Sequence, residues 1–242
     1  MDSKNSVQQA LEKALDKGLS TQQSAVAAHV RRIRRGRPEA SPTEIIDALE
    51  KHYLAAVTAL GAGAGAASAV PGVGTAVGVA VNIAAIPAFA EATTLFVLAC
   101  AEVHGVDVED LERRRTLVLA VILGNGASKV VQKAAGRTGA HWGRAIAQGI
   151  PLDTIRSING VLGKNFVTRH GTKEGILVLG RELPFGVGAA IGAAGNAASG
   201  WGSIRAARRA FGTAPEDWPG RTAQVPSDPK ADAPITVTSW RS

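Results

Sequence analysis

The amino-acid sequence predicts an all-α protein, a helical bundle built around a glycine-rich helical hairpin and a glycine-faced helix that occurs twice. Three observations predict it. The stretch Val70 to Asn82 reads Val-Pro-Gly-Val-Gly-Thr-Ala-Val-Gly-Val-Ala-Val-Asn, and a degenerate copy returns late in the chain. Pro71, Gly72, Val73, Gly74, Val77, Gly78 and Asn82 are answered by Pro184, Gly186, Val187, Gly188, Ile191, Gly192 and Asn196, with Phe185 as the one insertion. Glycines four apart (Gly74/Gly78 and Gly188/Gly192) fall on one helix face, with Asn82 and Asn196 four residues further along it. Such a face lets another backbone approach closely, and an amide on it can tie two helices together. The two glycine-faced helices are therefore expected to pack on each other or on a common neighbour.

The second observation is compositional. Hydrophobic residues make up 45% of the chain but aromatics only 4%, so the core must be built from small side chains and closely packed helices. The third is the stretch from Tyr53 to Ala90, 38 residues without a charge or a histidine, broken only at Pro71-Gly72. Two apolar arms of this kind make a hairpin. Their length is at the low end for a bilayer span, and their Ala/Gly content inserts weakly. A hairpin buried in a water-soluble core is the favoured reading. A spanning or re-entrant hairpin is the alternative, since Gly61/Gly65 and Gly74/Gly78 also suit packing between membrane helices.

At 242 residues the chain suffices for one sizeable domain. Its net charge of +7 is unevenly placed: from Arg113 to Arg209 there are 15 Lys and Arg against three acids, Asp153, Glu174 and Glu182. That field favours an anionic partner, whether lipid surface, acidic protein or nucleic acid. Cys100 stands alone, which excludes a disulfide framework and a cysteine metal site and suits a reducing compartment. The first residues, Met-Asp-Ser-Lys-Asn-Ser, have no apolar core of a secretion signal, so a cytoplasmic location is expected.

In chain order, residues 1–40 are expected to hold amphipathic and basic helices. Val7, Ala10, Leu11, Ala14 and Leu15 keep helical spacing over residues 6–18, and Gly18 is placed to end that helix. A second helix, about residues 22–35, carries Val26, Val30 and Ile33 on one side. It ends in Arg31, Arg32, Arg34, Arg35 and, after Gly36, Arg37. Cations at a helix C-terminus are favoured by the macrodipole, so part of the cluster is ordinary capping. Five arginines in seven residues exceed that need and make a candidate contact for an anionic surface. Ser41-Pro42-Thr43-Glu44 is a capping box with proline at the first helical position. It opens a helix through Ile45, Ile46, Leu49, Tyr53, Ala56, Val57 and Leu60 into the Gly61 repeat. The second arm is expected to kink at Pro87 and end near Gly105.

Asp107 to Asp110 reads as the N-cap and first turn of the next helix, with acids where the dipole prefers them. Its body, Leu117 to Leu123, is apolar on every side and so belongs in the core, and Gly124-Asn125-Gly126 breaks it. A basic helix with Lys129 and Lys133 follows at about residues 127–135. Pro151 opens a helix in which Ile155, Ile158, Leu162 and Phe166 share a face. A basic loop is expected from Lys164 to Lys173, adding Lys164, Arg169 and Lys173 to the candidate anion-contacting residues. The second glycine motif leads into a helix through Trp201, Ile204, Arg208 and Phe211. Residues 213–242, rich in Pro, Asp and Ser, read as a disordered tail.

The pattern from residue 50 to 212 resembles the EcsC family. The resemblance rests on Ala69 to Gly78 and on His104-Gly-Val-Asp-Val-Glu-Asp-Leu-Glu-Arg113. Ile150-Pro-Leu, Ser157-Ile-Asn159 and Leu183 to Asn196 continue it, and Ala206 to Phe211 closes it. It implies a helical domain over residues 41–212. That family takes its name from a protein encoded beside an ABC transporter linked to secretion and processing, and it has no agreed biochemical activity. The resemblance supplies no catalytic residues.

The residues themselves argue against catalysis. His29, His52, His104, His141 and His170 are scattered, without HExxH or paired metal-ligand spacing. Asp107, Glu109, Asp110 and Glu112 suit a helix start better than a metal site. No serine has a G-x-S-x-G context. Gly72-Val-Gly74-Thr-Ala-Val-Gly78 approaches a dinucleotide fingerprint, but its third glycine comes one residue late and it follows a helix. No cofactor and no metal are expected. The favoured function is non-enzymatic action at the cytoplasmic membrane face, by binding anionic lipid or a membrane protein of transport or secretion. A soluble interaction module with an acidic partner is the alternative. Nucleic-acid binding is disfavoured, because no helix-turn-helix or stacking-aromatic pattern accompanies the charge.

Overall fold

A computed structural model describes residues 19, 23–68, 74–134, 141–180 and 187–218, and in these every regular element is helical. The elements are α1 (Gln23–Arg35), α2 (Pro42–Ser68), α3 (Gly74–Val103), α4 (Leu111–Leu123), α5 (Asn125–Ala134), α6 (Trp142–Arg144), α7 (Leu152–Gly180) and α8 (Val187–Phe211). A π-helical turn, Ala145–Gly149, follows α6. The expected all-α bundle is what forms.

Local chemistry sets most of the boundaries. Ser41 and Glu44 close the capping box: the Ser41 N–H donates to the Glu44 carboxylate at 2.8 Å and the Glu44 N–H to Ser41 Oγ at 3.3 Å. These bonds hold the Glu44 carboxyl below its ordinary pKa, since they favour the charged form. At the end of α3 the Val106 N–H reaches back to Ala101 O at 2.9 Å and the Gly105 N–H to Glu102 O at 3.1 Å. With Gly105 at φ 62° this is a Schellman stop, and Val106 seals it from a buried position. Pro87 lies inside α3, and the helix runs through it from Gly74 to Val103. The ring removes one backbone donor there without ending the helix.

α4 is the central rod. Leu117, Val118, Leu119, Ala120 and Val121 are all inaccessible to solvent, as an all-round apolar helix requires. It touches α3, α5, α7 and α8. Its N-cap is Asp110, whose Oδ1 accepts the Arg113 N–H at 3.0 Å. Asp107 and Glu109 therefore precede the helix, one turn later than the acid run suggested. Thr116 and Asn159 lock α4 to α7: the Thr116 hydroxyl donates to Asn159 Oδ1 at 2.7 Å, and Asn159 Nδ2 donates to Glu112 O at 2.9 Å. α4 ends at Gly124, φ 68°, and α5 begins directly at Asn125.

One further expectation is corrected. The basic loop placed at 164–173 is helix, because α7 continues from Leu152 to Gly180. Helical periodicity fades there only because basic residues replace apolar ones, and the backbone has no break such as proline before Gly180. Of the tail expected at residues 213–242, residues 219–242 lie outside the described residues. Residues 213–218 are placed, with Trp218 donating Nε1–H to Ala40 O at 3.3 Å. The short helix expected at 6–18 lies outside the described residues. Among those described, no helix is long and apolar enough to cross a membrane. Part of the Tyr53–Ala90 stretch, residues 69–73, lies outside the described residues.

Candidate functional site: a backbone seam and a basic helix end

The second glycine motif packs on α2. Gly61 and Gly192 meet so closely that a Cβ on either would collide with the other's carbonyl oxygen. A Cβ on Gly192 would also lie 3.5 Å from Gly65 Cα. One turn along, Asn196 Nδ2 donates to Val57 O at 3.0 Å. A further turn brings Gly200 over Val57 and Leu54, where a Cβ would be 2.8 Å from Val57 Cγ2. Ser203 then hydrogen-bonds the Tyr53 hydroxyl, and Arg208 forks onto Glu50 with Nε–Oε1 at 2.7 Å. Partner numbers fall along α2 as they rise along α8, so the two helices run antiparallel.

α2 is also the neighbour of α3, so it serves as the common partner of both glycine-faced helices. On the hairpin side, the Tyr53 and Phe96 rings stack at 4.5 Å between centroids. Gly74, Gly78 and Asn82 lie in α3, and Gly188 in α8, at positions whose surroundings are not described; Gly72 and Gly186 are outside the described residues. The seam's α2 half, from Glu50 to Gly65, needed three-dimensional information. Gly61 and Gly65 were visible as a small-residue pair, but nothing local assigned them to Gly192.

The candidate anion-contacting residues fall on two helices. α1 buries Val26 and Val30 and turns Arg31, Arg32 and Arg35 to solvent, with Arg37 exposed just beyond its end. None of these four makes an ion pair among the described residues. Arg34 is different. Its guanidinium carbon sits 3.6 Å from the centroid of the Trp218 ring, a cation–π contact that partly buries it. His29 adds no charge at neutral pH, since burial chiefly, then Arg32 and His52, lower its pKa. Lys164 is exposed on α7, and Arg169 and Lys173 lie in the same helix. α1 packs on α2 and α3 whereas α7 packs on α4 and α5. Arg208, in the basic half of the chain, is committed to Glu50, which keeps it charged and localised.

The acids near the start of α4 serve structure: Asp110 caps, and Glu112 accepts from Asn159 Nδ2 at 2.5 Å. Among the described residues no group of three or more His, Cys, Asp or Glu is placed to hold a metal. Compared with known proteins, the chain matches no family model, no curated protein and no solved structure.

Proposed function

We propose that the chain is a non-enzymatic, EcsC-like helical protein that works at the cytoplasmic membrane face, attaching to anionic lipid through the C-terminal end of α1. The observation that carries this reading is the set of four exposed arginines, Arg31, Arg32, Arg35 and Arg37, none in an ion pair among the described residues, with Glu44 within electrostatic reach of Arg37. Arginine is weakly hydrated and forks onto phosphate oxygens, so it suits a phospholipid headgroup layer. Each basic residue near such a surface contributes about 1 kcal/mol, and the attraction falls off within a Debye length. The buried Val26 and Val30 face of α1 leaves Arg31, Arg32 and Arg35 on its solvent side, and Arg37 follows one residue past Gly36.

The test is vesicle flotation of the full chain with anionic and with neutral phospholipid. Binding to anionic vesicles only, reversed by salt and lost on replacing Arg31, Arg32, Arg35 and Arg37 with Gln, is the expected result. Equal binding by that variant would remove α1 from the reading. Absence of vesicle binding together with capture of an acidic protein or of duplex nucleic acid would replace lipid by that partner.

A further inference from the structure

Two of the five histidines read as scattered in sequence are brought together by the fold. His104, at the end of α3, and His141, at the start of α6, line one cleft with Arg144, Phe211 and Thr213. Its volume is about 330 Å³, within the range of small-molecule sites. Every ionisable side chain that lines it among the described residues is cationic or can become so; no carboxylate does. Val106, Phe211 and Pro215 provide an apolar wall.

The cleft's polar groups are held in place. His104 stacks on Phe211 at 5.1 Å between centroids, and its Nδ1 lies 2.8 Å from Cys100 O. Since a carbonyl can only accept, Nδ1 carries the proton, and Nε2 has no partner among the described residues. Burial chiefly lowers the His104 pKa; the Cys100 and Gly212 carbonyls oppose that shift, and Arg144 and His141 add to it. His141 is the one described non-glycine residue with a left-handed backbone, φ 73°. Its N–H donates to Arg209 O at 3.2 Å, and its ring presses onto Gly212, φ 83°, where no Cβ would fit. A side chain kept at such a backbone angle is over-determined by its surroundings, a pattern that clusters at ligand sites.

We propose that this cleft binds a small phosphate monoester, with the phosphoryl group on Arg144, His141 and the Thr213 hydroxyl and the carbon portion against Phe211 and Val106. The guanidinium supplies a charge-assisted fork, the imidazole and hydroxyl supply further donors, and the apolar wall discriminates an organic phosphate from the inorganic ion. The site does not rest on the α1 arginines, and its test is separate from theirs.

The probes are hexyl phosphate and inorganic phosphate, titrated into the full chain by calorimetry while the histidine C2–H resonances are followed by NMR. Saturable binding of hexyl phosphate, at least about tenfold tighter than inorganic phosphate, with shifts confined to His104 and His141, is expected. Arg144→Gln and His141→Gln should each weaken it about tenfold or more, Arg144→Gln at its exposed position with melting unchanged, while Arg156→Gln on α7 leaves it intact. Anionic vesicles separate the two sources of such a phosphate. Loss of both hexyl phosphate and vesicle binding in Arg144→Gln assigns the site to a lipid headgroup, and loss of hexyl phosphate alone assigns it to a soluble monoester. Unmoved histidine resonances, or full affinity in both cleft variants, would overturn the proposal.

Discussion

Asn196 ties α8 to α2 by donating its side-chain amide to the backbone carbonyl of Val57 at 3.0 Å, one turn from the point where Gly192 and Gly61 touch. The amide and the glycines act together, because only a helix pair this close puts a short side chain within reach of the opposite backbone.

The seam predicts opposite outcomes for two glycines three residues apart. Gly192→Ala would drive a Cβ into Gly61 O, backbone that cannot rotate away, and should destabilise by about 1–3 kcal/mol. At Gly195 an added Cβ meets nothing within 4 Å, so Gly195→Ala should be stabilising by about 0.5–1 kcal/mol through helix propensity. Urea unfolding of both variants checks this, and equal midpoints would show that the seam is looser than described.

Tyr53 is the polar centre of the same interface. The Thr93 hydroxyl gives its proton to Phe89 O at 2.7 Å, so at 2.9 Å from Tyr53 it must accept. Tyr53 therefore donates to Thr93, and Ser203 in turn donates to Tyr53. Tyr53→Phe takes the acceptor from Ser203 and one donor from Thr93, which keeps its bond to Phe89 O, and should cost about 1–3 kcal/mol while leaving the ring stack on Phe96 intact. Retained tryptophan bands in the near-ultraviolet circular dichroism with a lower urea midpoint are the expected signature.

Cys100 is wholly buried, and burial, followed by the Glu50 carboxylate, pushes its thiol far above the ordinary range. It should stay unlabelled by a maleimide in the native protein and react once per chain in denaturant. Fast native labelling would mean that the α3 region opens.

Acid should weaken the fold before its carboxylates titrate. His29 and His104 both have folded pKa values below the ordinary 6.5. The unfolded chain thus binds protons first, and the stability they contribute, complete above about pH 6.5, is lost as the pH falls through that value toward the folded ones. Glu44, depressed by its bonds to Ser41, adds a second loss below 4.5. The urea midpoint should therefore drop between about pH 7.5 and 5.5, and His104→Gln should reduce that drop.

Local signals were readable in the sequence. Ser41-Pro-Thr-Glu44 capped α2, the all-apolar Leu117–Leu123 run became the core rod, and Pro151 opened α7, because each depends on neighbours within one turn. Features decided at a distance were not. The charge run from Lys164 to Lys173 looked like a loop, since solvated helix and solvated coil share a composition. Trp218 lay in a stretch without hydrophobic period, and only its meeting with Arg34 and Ala40 places it. The pairing of His104 with His141 joins segments with no common pattern.

The seam also has a kinetic consequence. The residues it joins, Val57 and Asn196, are 139 positions apart, so the face of α2 that receives α8 stays uncovered until nearly the whole chain has been made. Closing so long a loop costs little more entropy than closing a shorter one, but it comes late. A nascent chain halted before Val187 would carry α2 with its glycine face open, at the stage when chains are most prone to associate with one another. Completion of the C-terminal helix is the step that covers this face of α2.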